Sequence, residues 1–414
     1  MTELERQGAQ ARAAARVLAM ASTVQKNQAL EAIALALETC QDDVLAANAA
    51  DMAAARAAGM RPAMLDRLLL DEGRIRGVAA GVRQVMALED PVGRMVEMTT
   101  RPNGLQIGKK TVPLGVIGMI YEARPNVTVD AAVLCLKAGN AVILRGGKEA
   151  FATNNALTAL MRGAIARAGL PEDAISLVQD TSRASATELM GLRGYLDVLI
   201  PRGGAGLIRS VVENARVPVI ETGAGVCHVY VERSADLDMA ARIIENAKCS
   251  RPSVCNAAET LLVDRDAAAA FLPLAQARLE PWHCRLRGCP ETCAILPTAE
   301  PADESDWDTE YGDYILSIKV VSGMDEALEH IAAHSTGHSE AIVTSDYFQA
   351  QRFLNEVDAA AVYVNASTRF TDGGEFGEGA EIGIATQKLH ARGPMGLRQL
   401  TSTKYVIYGS GQVR

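Results

Sequence analysis

The sequence is poor in aromatic residues and has no long uninterrupted apolar segment. Phe, Trp and Tyr make up 4% of its 414 residues, so smaller aliphatic side chains must fill the core, as in α/β enzymes with buried parallel strands. No segment reaches the 18 apolar residues that a membrane-spanning helix needs. The N-terminal residues mix charges with apolar positions at helical spacing, unlike a signal peptide. We therefore expect a cytoplasmic protein.

The chain also has no excess of positive charge. The net charge of −9 argues against a general nucleic-acid binder, so an anionic ligand must be held by local Arg, Lys or backbone N–H groups. The eight cysteines lack the spacing of a disulfide framework. The group His283, Cys284, Cys289 and Cys293 lacks the C-x₂-C pairs of structural zinc sites. We therefore expect no metal site. Each cysteine is expected to be a free thiol, which is either inert in the core or chemically reactive.

The length and the distribution of residue types predict more than one domain. Residues 1–95 are rich in Ala, Leu, Met, Glu and Arg, with apolar positions every three or four residues, which predicts helices. An Asn103-Gly104 pair predicts a hairpin within 96–112, and a last strand is predicted at 400–408. These strands are expected to pair at an exposed edge of the kind that a second subunit often covers.

From Val112 onward, apolar strands alternate with helices in two blocks. This pattern predicts parallel sheets that are covered on both faces, with ligands beyond the carboxyl ends of the strands. The strands are expected at 115–121, 141–144, 175–178, 197–200 and 217–220 in the first block, and at 228–231, 260–263, 315–321, 341–344 and 361–365 in the second.

Cys255 is a candidate nucleophile. It lies in a predicted loop between a helix and a strand, where Pro252 restricts the chain and Arg251 would favour the thiolate. On composition alone an inert, buried cysteine is the better interpretation, because most free cysteines are buried.

Polar residues follow two strands of the first block. Asn126 could donate its amide to an oxyanion, and Arg124 could bind a carboxylate or phosphate. The alternative is that Asn126 only caps the next helix. Glu221 follows the fifth predicted strand, where its carboxylate could reach a cleft or cap a turn.

Two further strand ends combine basic residues with glycine. Arg145 and Lys148 follow one strand, and Arg202, Gly203 and Gly204 follow another. Backbone N–H groups of such loops can approach a phosphate. The positive charge of Arg145 and Lys148 would suit a ribose 2′-phosphate, which favours NADP over NAD. No clean G-x-G-x-x-G sequence occurs there, so the nucleotide site is predicted from the architecture.

On this architecture, Cys255, Asn126 and Glu221 give the chain a resemblance to the aldehyde dehydrogenase superfamily, and more narrowly to its members that reduce glutamyl 5-phosphate. The resemblance covers essentially the whole chain and is carried by residues 113–126, 327–342 and 383–396. It implies an aldehyde-dehydrogenase-like α/β fold of two doubly wound α/β domains plus a small β oligomerisation arm. The implied bounds are 1–96 and 113–224 for an NADP-binding domain, 225–394 for a catalytic domain, and 97–112 and 395–414 for the arm.

The same resemblance implies roles for individual residues. Cys255 matches the nucleophile and Asn126 the amide of the oxyanion hole. Arg145 stands where the wider superfamily commonly has a Lys at the adenosine ribose of the cofactor, and Glu310 resembles the carboxylate that holds the nicotinamide ribose. Glu221 falls where hydrolytic members keep the base that activates water.

The implied reaction is the second step of proline biosynthesis from glutamate. The Cys255 thiolate displaces phosphate from glutamyl 5-phosphate, and NADPH reduces the thioester to an aldehyde. The substrate carries two anionic groups, for which Arg124, Arg251, His338 and Lys388 are the candidate partners. Glu221 is placed among the cofactor-binding residues; since water would hydrolyse the thioester, its role in the chemistry stays open.

The implied partners are the small-molecule substrate, a transiently bound glutamate 5-kinase, and further copies of the chain in a homodimer or tetramer. Two alternatives remain. One is a hydrolytic aldehyde dehydrogenase, which would need no phosphate. The other is a non-catalytic protein that keeps this fold for binding.

Overall fold

The computed structural model describes residues 1–122 and 124–414. Its α-helices are α1 (Glu3–Leu18), α2 (Thr23–Thr39), α3 (Asp42–Ala57), α4 (Pro62–Leu68), α5 (Glu72–Ala87), α6 (Pro125–Lys137), α7 (Phe151–Arg167), α8 (Arg183–Met190), α9 (Ala205–Asn214), α10 (Leu237–Cys249), α11 (Arg265–Leu279), α12 (Pro290–Ile295), α13 (Met324–His334) and α14 (Tyr347–Glu356). Its strands are β1 (Met95–Thr100), β2 (Gln106–Pro113), β3 (Val116–Tyr121), β4 (Ala141–Arg145), β5 (Ile175–Leu177), β6 (Val198–Arg202), β7 (Cys227–Val231), β8 (Ala258–Asp264), β9 (Arg285–Gly288), β10 (Glu300–Pro301), β11 (Ile315–Val321), β12 (Ser339–Val343), β13 (Ala361–Val364), β14 (Ile384–Ala385), β15 (Gly393–Pro394) and β16 (Thr401–Tyr408).

The chain forms two compact units. The first unit comprises Met1–Glu221, Gly377–Gly383 and Met395–Arg414, and the second comprises Thr222–Phe376 and Ile384–Pro394. Within the described residues, no helix has both the length and the apolar character needed to cross a membrane.

The helical character predicted for residues 1–95 is confirmed by α1 to α5. The first two helices begin with reciprocal hydrogen bonds that satisfy exposed backbone donors. The Thr2 side chain accepts from the Glu5 N–H and the Glu5 side chain accepts from Thr2 N–H; Ser22 and Gln25 repeat this arrangement at α2. Each helix is therefore fixed at its start by its own sequence.

The first unit contains a parallel sheet in the order β5-β4-β3-β6. All six residues of β3 are buried, as is usual for a strand covered on both faces. The predicted strand at 217–220 is reduced to a single bridge between Leu199 and Val219. Pro218 explains the difference, because it has no N–H with which to extend the ladder.

The predicted hairpin and last strand form a separate antiparallel sheet in the order β1-β2-β16. Gly104 turns the hairpin at a φ of +84°, a value that glycine tolerates. Strand β16 pairs with β2 over eight residues, from Thr401 opposite Pro113 to Tyr408 opposite Gln106. We call this sheet the arm.

The second unit contains a seven-stranded sheet in the order β10-β9-β11-β8-β7-β12-β13, with parallel pairing throughout. The two parallel sheets confirm the predicted α/β class. Strands β9 and β10 and helix α12 were not predicted. They are short, and no extended period marks them in the sequence.

Candidate active site

Cys255 lies in the loop of residues 250–257 that connects α10 to β8, and we call this segment the Cys255 loop. A buried ion pair joins its two ends. Lys248 is the penultimate residue of α10, Glu259 lies at the start of β8, and Lys248 Nζ is 2.5 Å from Glu259 Oε2. Both side chains are fully buried. The loop is thus closed by an interaction between residues that flank it.

A hydrogen bond from a buried thiol holds the backbone of Cys255. The Cys227 Sγ–H donates to the Cys255 carbonyl oxygen over 3.2 Å. Burial raises the pKa of the Cys227 thiol well above its ordinary value, so this donor keeps its proton. A Cβ atom added at Gly225 would overlap the Cys255 carbonyl oxygen. The site therefore requires glycine at 225, while the Cys255 side chain itself is half-buried.

Arg369 is a residue of this neighbourhood that the sequence analysis missed. Its Nε donates to Ser250 Oγ over 3.1 Å, and its Nη1 donates to Asn256 Oδ1. Burial, and then repulsion from Arg251, lower the pKa of Arg369, whereas the charges of Asp372 and Cys255 raise it. The guanidinium groups of Arg251 and Arg369 thus both contribute positive charge at the Cys255 loop. Arg369 is separated from Cys255 by 114 positions (369 − 255), and no local pattern links the two residues.

The structure corrects the prediction that His338 is a cationic substrate ligand. His338 is fully buried, and burial lowers its pKa to about 4, so its imidazole is neutral at pH 7. Its Nδ1 lies 2.8 Å from Ser339 Oγ and 3.8 Å from Cys227 Sγ. His338 is therefore a neutral group beside Cys227, whose thiol contacts the Cys255 carbonyl oxygen. Helix α13 ends at His334, before His338.

The other candidates of the second unit lie in two different settings. Lys388 is exposed and forms an ion pair with Asp358, which Arg392 also contacts over 2.8 Å. Glu310 is exposed in a loop whose Gly312 N–H donates to Glu259 Oε1 over 3.3 Å. The Glu310 loop is therefore attached to the same buried ion pair as the Cys255 loop.

In the first unit, Asn126 contacts Asp130, and the charge of Arg202 acts on the same carboxyl group. Arg124 occupies the N-cap position of α6, so the interpretation of Asn126 as the cap is wrong. The Asn126 amide instead donates to Asp130 Oδ2 over 3.1 Å. Burial raises the pKa of Asp130 to about 6, against the opposing effects of Asn126 and Arg202. One amide N–H of Asn126 is used in this contact, and Nδ2 carries a second.

The two Arg-Gly strand ends form hydrogen bonds with other residues of the first unit. Arg145 Nη2 donates to the carbonyl oxygens of Thr181 and Ser182 over 2.7 and 2.9 Å. Lys148 is exposed at the end of the same connection. After β6, the Gly204 N–H donates to Glu122 Oε2 over 3.1 Å. A phosphate that used this N–H would have to displace the Glu122 carboxylate.

Gly203 and Glu221 complete the predicted set. A Cβ atom added at Gly203 would lie 2.7 Å from the Glu122 carboxyl carbon, so the strand end closely approaches that side chain. Glu221 is half-buried and is the last residue of the first unit before the chain passes to the second. It follows the bridge between Leu199 and Val219.

Comparisons with known proteins give one consistent relationship. A model of the aldehyde dehydrogenase family matches residues 2–287. The chain is 63% identical to gamma-glutamyl phosphate reductase of Moorella thermoacetica, over 100% of this chain and 99% of that protein. The crystal structure of gamma-glutamyl phosphate reductase from Thermotoga maritima matches with 48% identity and a TM-score of 0.98, over 100% of both chains.

A more distant likeness concerns the fold alone. An engineered glycolyl-CoA reductase with bound NADP+ is 16% identical, with a TM-score of 0.68, over 97% of this chain and 96% of that one. Together with the parallel sheets of both units, these likenesses confirm the expected aldehyde-dehydrogenase-like α/β fold.

Proposed function

Since the chain belongs to the gamma-glutamyl phosphate reductases of the aldehyde dehydrogenase family, we propose that it reduces L-glutamyl 5-phosphate with NADPH. The products are L-glutamate 5-semialdehyde and phosphate, in the second step of proline biosynthesis from glutamate. Membership makes the chain an oxidoreductase of the phosphorylating aldehyde dehydrogenase type. The substrate, the cofactor and the covalent route are the parts that we propose.

Cys255 is the proposed nucleophile. It is a half-buried thiol on a loop that is closed by Lys248 and Glu259, with the guanidinium groups of Arg251 and Arg369 nearby. Positive charge near a partly exposed cysteine favours the thiolate. The thiolate attacks the acyl carbon, the bond to the phosphate oxygen breaks, and a thioester remains.

Asn126 is the proposed oxyanion donor. Its amide is oriented by Asp130, and the second N–H of Nδ2 is available to a developing negative charge. A donor of this kind is typically worth about 3 kcal/mol in the transition state. A bound NADPH would supply the hydride that reduces the thioester. Cys255 would then carry the thiohemiacetal and leave as the thiolate when the aldehyde is released.

The cofactor proposal is NADP. It rests on the family, on the positive charge of Arg145 and Lys148, and on the likeness of fold to a reductase that binds NADP+. Because Arg145 already donates to two backbone carbonyls, Lys148 is the better candidate for a 2′-phosphate. Arg202, Gly203 and Gly204 on one strand end, and Glu310 in the second unit, complete the proposed cofactor contacts.

Substrate anions need cations in a chain of net charge −9. Arg124 and Arg251 stay in the proposal for this role. Lys388 stays as well, although its ammonium would have to leave Asp358 to bind an anion.

The observation that carries the proposal is the Cys255 loop with its closing ion pair. We test it in the reverse direction, with glutamate semialdehyde, phosphate and NADP+. Cys255→Ser should abolish phosphate-dependent NADPH formation, whereas the exposed Cys40→Ser serves as the matched control and should retain it. Near-normal turnover of Cys255→Ser would rule out the covalent route.

The same assay separates the remaining alternatives. Reduction of NADP+ without phosphate or arsenate would identify a hydrolytic aldehyde dehydrogenase. Faster turnover with NAD+ than with NADP+ would overturn the cofactor proposal.

We also propose that the chain self-associates through the arm. Strands β1 and β16 are its two edges, and Met98, Tyr405 and Ile407 expose large apolar surfaces there. Edges of this kind are usually covered, so a homodimer or tetramer is expected. The lability of an acyl phosphate favours transient contact with the glutamate 5-kinase that forms it.

A further inference from the structure

Arg369 links the two sides of the Cys255 loop. Ser250 and Asn256 lie near the two ends of this loop, and the guanidinium contacts both, through Nε and Nη1 respectively. Two further hydrogen bonds fix the Asn256 side chain, because its Nδ2 donates to the carbonyl oxygens of Arg369 and Thr371 over 3.2 and 2.9 Å. The guanidinium position is therefore determined by the same loop that carries the nucleophile.

Neither of the guanidinium groups at this loop forms an ion pair with a carboxylate in the part of the chain that the structure describes, although the charge of Asp372 acts on Arg369 from farther away. Neither Arg251 nor Arg369 has an Asp or Glu oxygen within 4.0 Å among residues 1–122 and 124–414. Nη2 of Arg369 likewise has no hydrogen-bond partner in the described chain. Two like charges near one another are unfavourable unless an anion joins them, and the chain as a whole carries an excess of acidic groups.

We propose that Arg369 and Arg251 form the binding site for the phosphate group, as the phosphoryl end of the acyl phosphate in one direction and as inorganic phosphate in the other. The inference rests on the proposed function. A guanidinium suits this ligand, because its planar array of N–H donors matches phosphate oxygens and keeps its charge.

The group transfer at this site involves no oxidation. In the reductive direction the Cys255 sulfur forms a bond to the acyl carbon, the carbon–oxygen bond to phosphate breaks, and phosphate leaves with the electron pair. In reverse, a phosphate oxygen attacks the thioester and the thiolate leaves. Arg369 and Arg251 hold the phosphate dianion in both directions, and Arg251 also favours the Cys255 thiolate once phosphate has left.

The test separates phosphate binding from hydride transfer. Oxidation of the semialdehyde on Cys255 gives one equivalent of NADPH and a thioester before phosphate is needed. We expect Arg369→Gln to keep this burst, measured without phosphate, and to raise the KM for phosphate about tenfold to a hundredfold, as expected for the loss of hydrogen bonds to a charged ligand. The KM for semialdehyde should stay within about twofold, given that the phosphate is the ligand lost.

Two further variants keep the test decisive. Arg369→Lys retains the positive charge but not the planar array of N–H donors, and should give an intermediate KM for phosphate. Arg352→Gln removes an exposed arginine that is paired with Asp325 and Glu356, and should leave both KM values unchanged. A rise in the semialdehyde KM alone would assign Arg369 to the substrate carboxylate and overturn the proposal, and so would an unchanged phosphate KM.

A binding measurement distinguishes this inference from the reaction itself. Calorimetric titration of Cys255→Ala with inorganic phosphate should detect binding that is lost in the double variant with Arg369→Gln. Equal binding by both proteins would refute the site even if the reaction proceeds as proposed. A wild-type enzyme that turns over without phosphate would refute the proposed function, whatever the calorimetry shows.

Discussion

The Nζ atom of Lys248 lies 2.5 Å from Oε2 of Glu259, in a position where neither side chain reaches solvent. The pair spans the Cys255 loop, and Glu259 also accepts the N–H of Gly312 near Glu310. One buried ion pair thus connects the segment of the proposed nucleophile with that of a proposed cofactor contact.

Lys248→Met should strongly destabilise the protein, because it leaves the Glu259 carboxylate buried without its cation. Breaking a buried pair in this way typically costs about 3 to 5 kcal/mol. The free energy of unfolding, measured by urea denaturation, should fall by that amount. The double variant Lys248→Met with Glu259→Leu should recover most of the loss, since a well-packed apolar pair avoids the uncompensated charge. Equal destabilisation in both variants would show that the charge is not the cause.

Gly225→Ala should impair the reaction through the Cys255 backbone. The new methyl group would overlap the Cys255 carbonyl oxygen, so the loop must move, and a displacement of about 1 Å can cost about 100-fold in rate. Gly77→Ala is the control, because Gly77 lies in α5 with open space around a new Cβ atom. We expect kcat to fall about 100-fold in the first variant and to stay unchanged in the second. Wild-type kcat in Gly225→Ala would contradict the close approach.

His338 should make stability depend on pH. Burial lowers its pKa from 6.5 to about 4, so between these values the unfolded chain binds a proton that the folded chain does not. Its contribution is complete above pH 6.5 and is lost as the pH falls towards 4, by about 3 kcal/mol. His338→Asn should remove this part of the pH dependence in denaturation experiments at pH 7 and pH 4.5. Parallel profiles for the two proteins would contradict the assignment.

Glu221→Gln should leave the phosphate-dependent reaction largely intact. A base that activates water would promote hydrolysis of the thioester, which this reaction must avoid. We expect kcat with phosphate within about threefold of wild type, since general-base catalysis contributes about 100-fold or more where it operates. Any slow, phosphate-independent release of acid should decrease. A loss of several orders of magnitude with phosphate would show that Glu221 is essential.

Local sequence patterns were sufficient to predict which types of secondary structure this protein forms. Continuous apolar strands between helices predicted both parallel sheets, and Asn103-Gly104 predicted the turn of the arm, because these features depend on neighbours in the chain. The loop position of Cys255 followed from the same periodicity. Pro218 marks where a propensity argument failed, since a single missing N–H reduced a predicted strand to one bridge.

The electrostatics of the candidate site were decided by tertiary structure. The sequence by itself determined the α/β class, the candidate nucleophile and the basic strand ends, which are properties of residue type and spacing. It did not reveal the contact of Arg369 with the Cys255 loop, the neutral state of His338 or the pairing of Lys388 with Asp358. Burial and charge pairing depend on residues far apart in the chain, which only the folded structure brings together.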